Sequence, residues 1–179
     1  MKFPSYFETY GGLNSVVKSR YFWAAVATTA LCSKYYTQPG WWELAISIVP
    51  GLVGFSIAGV AIFVSLGSDS LRSVIAGKRV GSEEPSPFLT FMSMFTHFIV
   101  VQLLALFIAL VSKALFDVAP ISPNPFEAIA VSLKNPFWLL GGLTLSYAVI
   151  LCAALALEIY RLARMIDTFQ TVQNSRLKE

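Results

Sequence analysis

Residues 47–70 read SIVPGLVGFSIAGVAIFVSLGSDS, and the first charge in the stretch is Asp69. Ser47, Gly51, Gly54, Ala58, Ala61 and Ser65 recur at steps of four, three, four, three and four. The bulky Phe55, Ile62 and Phe63 stand off that ladder. Lipid tails are as apolar as leucine, so membrane helices gain little by hiding greasy side chains from them. They associate by close backbone approach, which small residues permit. A mean step of 3.5 keeps one stripe facing a partner while the helices supercoil. The ladder therefore predicts a membrane helix packed through its small face. The partner is either another helix of the same chain or a second copy, as the seam of a homo-oligomer.

The rest of the chain agrees about the solvent. Of its 179 residues 56% are hydrophobic and 13% charged, against about a quarter charged in soluble domains. Residues 44–68 and 135–157 carry no charge, and 88–112 carry none apart from His97. Each run exceeds the roughly 20 residues needed to cross about 30 Å of hydrocarbon. A fourth, shorter apolar segment, YFWAAVATTALCS (21–33), lies between Arg20 and Lys34. It reaches a span if Lys18, Arg20 and Lys34 snorkel outward, with Tyr21, Trp23, Tyr35 and Tyr36 as aromatic belts. The same segment resembles the core of a signal peptide. It is read as a span because Leu31 before Cys32 is too large for a lipoprotein site. The fold expected is all-α: a polytopic integral membrane protein of four transmembrane helices, with short amphipathic N-terminal, loop and C-terminal helices. Residues 1–179 form one membrane domain, with spans about 19–37, 44–67, 88–113 and 136–158 and a cytoplasmic helix 159–175.

Charge sets the orientation. Lys2, Lys18, Arg20, Arg72, Lys78, Arg79, Arg161, Arg164, Arg176 and Lys178 fall on one side of this layout, and only Lys34, Lys113 and Lys134 on the other. The positive-inside rule then places both termini in the cytoplasm. The formal net charge of +3 belongs to these flanks and implies no nucleic-acid surface.

Local punctuation supports the boundaries. Ser5 and Glu8 form a capping box, before a helix whose Phe3, Tyr6, Phe7 and Tyr10 share one face suited to the headgroup region. Gly11-Gly12 ends it, and Pro39-Gly40 separates the first two spans. A loop helix carries Leu71, Val74 and Ile75 on one side. Ser86-Pro87, Asn124-Pro125 and Asn135-Pro136 each read as an N-cap followed by proline at the first helical position. Pro50 predicts a kink in the second span, because proline donates no hydrogen bond. The fourth span repeats the small ladder weakly at Gly142, Ser146, Ala153 and Ala156.

Polar side chains inside a membrane are costly, and few occur here. His97 and Gln102 are candidates for a polar lining, with Ser93 one turn before His97. The two lie five residues apart, about 140° around a helix, so they call for different partners. The alternative for His97 is a neutral ring hydrogen-bonded to a neighbouring helix. Glu43 sits at the outer rim beside Trp41 and Trp42, and Glu158 at the inner rim within reach of Arg161. One histidine and no mid-membrane aspartate argue against an intramembrane aspartyl or metalloprotease and against a proton-coupled exporter. No phosphate loop or Cys–His cluster occurs, and Cys32 and Cys152 lie at opposite depths. No enzyme, cofactor or metal is expected.

Beyond the fourth span the chain continues as LEIYRLARMIDTFQTVQNSR without a helix breaker. Leu162, Met165, Ile166 and Phe169 form an apolar stripe that Arg161 and Arg164 leave clear. The stripe is a candidate docking surface for a cytoplasmic protein partner or a sister subunit. Its own loop helix is the competing occupant.

GFSIAGVAIFVSLGSDSLRSVIAGK (54–78), PFLTFMSMF (87–95) and EIYRLARMID (158–167) together resemble small four-helix inner-membrane proteins of anti-phage defence loci. The Kiwa membrane subunit and the membrane effectors of CRISPR or cyclic-nucleotide systems are of that kind. The resemblance implies a non-enzymatic, oligomerising membrane component that works with a cytoplasmic partner. Three functions follow as expectations: a membrane anchor or sensor, a channel-like pore-forming effector, or a transporter accessory subunit.

Overall fold

In the computed structural model, residues 6–66, 85–116 and 125–176 are described, apart from the side chains of residues 66, 125–132, 162, 169, 172, 173 and 176. The chain forms α1 (Tyr6–Tyr10), α2 (Gly12–Lys18), α3 (Arg20–Leu31), α4 (Ser33–Tyr36), α5 (Trp41–Leu66), α6 (Pro87–Phe116) and α7 (Pro125–Arg176). No strand occurs among the described residues. The expected capping serine Ser5, the loop helix at Leu71, Val74 and Ile75, and the Asn124 cap lie outside them.

The helix starts follow from local chemistry. Ser86 caps α6: its Oγ accepts from the Leu89 N–H at 3.2 Å and its carbonyl accepts from the Thr90 N–H at 3.0 Å. Pro87 then occupies the first turn, where no donor is missed. Ser19 caps α3 by accepting from the Tyr21 N–H at 3.2 Å. Gly11 and Gly12 adopt φ of 103° and 66°, left-handed values that suit glycine and turn the chain between α1 and α2.

Three helices are long and apolar enough to cross a membrane, over Trp41–Ser65, Pro87–Phe116 and Leu133–Thr168. The fourth expected span is not among them. Its residues divide into α3, of 12 residues, and α4, of 4, at Cys32. Phe22 and Tyr36 both reach α7 near residues 142–147, through Tyr147 for one and Gly142 and Ser146 for the other. The segment runs along α7, from Glu158, Ala154 and Leu151 beside Ser15, Ser19 and Tyr21 to Leu143 and Leu139 beside Val26, Thr29 and Ser33.

One expectation about proline is corrected. Asn135-Pro136 does not open a new helix, since α7 runs for 52 residues straight through Pro136. Neighbouring turns carry the ladder across the one missing donor, as they do in long apolar helices. Helix α5 also contains Pro50, on an exposed face.

The core has two main clusters. At one end Tyr36, Trp41, Trp42, Ala45, Val49, Ile108, Ala109, Trp138 and Leu145 pack together. Here Trp42 meets Trp138 edge-on at 5.5 Å, and Trp138 meets Phe116 at 5.2 Å. Glu43 pairs with Lys113 across this end, which shows that α5 and α6 run antiparallel. The other cluster joins Ala25, Phe95, Phe98, Val101, Ala105, Tyr147, Ala148, Leu151, Ala154 and Leu155. Beyond it, Phe63 stacks on Phe88 at 5.6 Å.

Candidate functional site

The small ladder faces outward. Ser47, Gly51, Gly54, Ala58, Ala61 and Ser65 are all exposed, and a Cβ added at Gly51 or Gly54 would meet nothing within 4 Å. Past Trp41 and Trp42, buried at its start, the residues of α5 that enter the bundle are Ala45, Val49, Ser56, Gly59 and Phe63. Each precedes a ladder residue by two positions, about 200° around the helix. Packing within the chain, one of the two uses expected of the ladder, is therefore carried by the opposite face. Phe63, expected off the packing stripe, is 7% exposed and central to its cluster. The glycines that do meet neighbours closely are Gly59, against Phe95 and Ile159, Gly141, against Trp41, and Gly142, against Tyr36.

Polar side chains close the seams between helices. Gln102 is fully buried between α5 and α6. Its Nε2 donates to the Ser56 hydroxyl at 3.0 Å, and its Oε1 lies 3.2 Å from the same oxygen. His97 turns elsewhere. Its ring stacks on Tyr10 with centroids 4.1 Å apart and an interplanar angle of 18°, and its Nε2 lies 3.4 Å from the Tyr147 hydroxyl. Burial raises the Tyr10 phenol above its ordinary range. The His97 Nδ1 has no partner among the described residues. Tyr36 and Ser146 bond at 3.1 Å at the level of the tryptophans. A stacked ring bridging α1, α6 and α7 is the physical role these contacts give His97.

Two cavities adjoin the N-terminal segment. One, about 440 Å³, is apolar and lined by Val26, Thr29, Ala30, Ser33, Leu139 and Leu143. The other, about 290 Å³, is lined by Tyr10, Ser15, Ser19, Tyr21, Met94, Phe98, Leu151, Ala154 and Glu158. Neither is lined by His97 or Gln102, so the two residues proposed for a polar lining sit in separate seams.

At the far end of α7, Arg161 donates to Glu158 at 2.5 Å. Of the expected docking stripe, Met165 is 44% exposed, while Ile166 packs beside Phe63, Phe88, Phe91 and Met92. The side chains of Leu162 and Phe169 lie outside the described residues. Among the described residues no group of His, Cys, Asp and Glu is placed to hold a metal ion.

Sequence reasoning missed Ser56, Ser146, Tyr147 and Tyr10 as partners. The signal available was their polarity within or beside charge-free runs, where each hydroxyl needs an acceptor or donor.

The fold and these seams define an all-helical protein with three helices long and apolar enough to cross a membrane. Comparison with family models, with curated proteins and with solved structures found no match for the chain.

Proposed function

We propose that this chain is a non-enzymatic component of a bacterial inner membrane that self-assembles through the small face of α5. It acts there as an anchor or sensor for a cytoplasmic partner. The observation that carries the reading is the exposed ladder. Six small residues at a helix-packing period face away from the chain's own bundle, which leaves them open to a second copy in a lipid environment. The end of α7 extends the same logic. Arg161, Arg164 and Met165 are exposed, beyond the apolar run and in reach of anionic headgroups and a soluble protein.

The pore reading draws less support, because His97 and Gln102 are buried in helix seams and engaged there. The resemblance to defence-locus membrane proteins is what directs this reading toward an anti-phage response. Following the positive flanks, both termini face the cytoplasm.

Mass measurement of the detergent-solubilised chain tests the assembly. The wild type should run as a multiple of 19.6 kDa. Gly54→Leu should shift it toward the monomer without loss of helix content, whereas Ile57→Leu, on an exposed side chain off the ladder, should not. A monomeric wild type overturns the proposal.

A further inference from the structure

The cavity of about 290 Å³ has two unlike walls. Met94, Phe98, Leu151 and Ala154 supply an apolar lining. The rim is polar: hydroxyls of Ser15, Ser19 and Tyr21, and the carboxylate of Glu158. The Glu158 side chain is only 18% exposed, against 58% for its partner Arg161. A carboxylate that shielded needs donors. Arg161 engages Oε1, and a carboxylate accepts more than one such bond. A second cation stands beside the cleft: Arg20 donates at 3.2 Å to the hydroxyl of Tyr21, which lines it. A carboxylate, hydroxyl-bearing residues and apolar side chains thus line one cleft, with a guanidinium beside it.

We propose that this cleft binds an aminophospholipid, its ammonium on Glu158, its phosphate on Arg20, and an acyl chain over Phe98 and Leu151. The inference rests on the membrane reading above, which would bring the rim to headgroup depth. A ligand with both charges can engage the carboxylate's remaining acceptor sites and the guanidinium together. A primary ammonium also offers N–H donors that a quaternary amine lacks.

The test is titration of the detergent-purified full chain with lysophosphatidylethanolamine, lysophosphatidylcholine and lysophosphatidylglycerol of one chain length, read by native mass spectrometry. The ethanolamine lipid should bind about tenfold tighter than the other two, the scale of one charge-assisted hydrogen bond. Glu158→Gln should erase that preference and Arg161→Gln should keep it. Ser15→Phe, from a partly exposed site on a short helix, should block the cleft with an unchanged melting curve. Equal binding of the three lipids, or a preference that survives Glu158→Gln, overturns the proposal. Recovery of the chain outside the membrane fraction would instead defeat the membrane reading itself, whatever the lipids do.

Discussion

Gln102 and Ser56 show what a polar side chain does in an apolar bundle. The amide is fully buried, and its partner across the seam is one hydroxyl. That hydroxyl is held in turn by the Leu52 carbonyl at 3.0 Å. Removing one member leaves the other stranded, at about 1–3 kcal/mol, while replacing both by apolar groups is close to neutral. Ser56→Ala should therefore lower the melting temperature in detergent. Adding Gln102→Leu to it should restore most of the loss, a positive coupling in a double-mutant cycle. Equal and additive losses would show that the pair does not couple. At this scale the sequence was partly legible. The angle between His97 and Gln102 implied two partners, and the structure supplies Tyr147 and Ser56. Which residues those were could not be read, because partner choice depends on how three helices are rotated about their axes.

The same rotation governs whole elements. The period of the α5 ladder was plain in the sequence, but not which side of the helix the bundle uses. In water, hydrophobicity marks the inner face. In a chain whose runs are apolar all round, that cue is absent, and small residues can mark either an internal seam or an external one. Here the internal seam chose Ala45, Val49, Ser56, Gly59 and Phe63. Boundaries were more legible, since Ser86-Pro87 acts through local hydrogen bonds, yet Pro136 was misread as a start because tertiary packing carries α7 past it. A pair of substitutions separates the two faces. A Cβ at Gly59 would stand 3.3 Å from the Phe95 ring and 3.5 Å from the Ile159 Cδ1, so Gly59→Leu must push α6 and α7 away. Overpacking of that kind costs about 1–3 kcal/mol or more. Gly54→Leu meets nothing in the monomer and should leave its thermal unfolding unchanged. Equal destabilisation by both, measured on the dissociated chain, would reverse the assignment of the faces.

For the whole molecule the open quantity is the number of crossings, because α3 and α4 together offer fewer residues than any of the three long helices. Ten basic residues lie on one side only if this segment crosses. If it lies along the bundle instead, Lys18 and Arg20 change sides with the N-terminus. The contacts favour a segment that enters at the Glu158 end, since Ser15, Ser19 and Tyr21 share a cleft with Glu158, and leaves near the tryptophans, since Tyr36 packs edge-on to Trp41 at 6.0 Å. Three single cysteines, in a background with Cys32→Ala and Cys152→Ala, read the topology directly. Leu13, Gln38 and Asp167 are all exposed, so each replacement leaves the core untouched. With a membrane-impermeant maleimide on intact spheroplasts, Gln38→Cys should be labelled. Leu13→Cys and Asp167→Cys should react only after permeabilisation. Labelling of Leu13→Cys together with Gln38→Cys would mean three crossings and an N-terminus outside. Labelling of Asp167→Cys alone would invert the molecule and move the end of α7 away from any cytoplasmic partner.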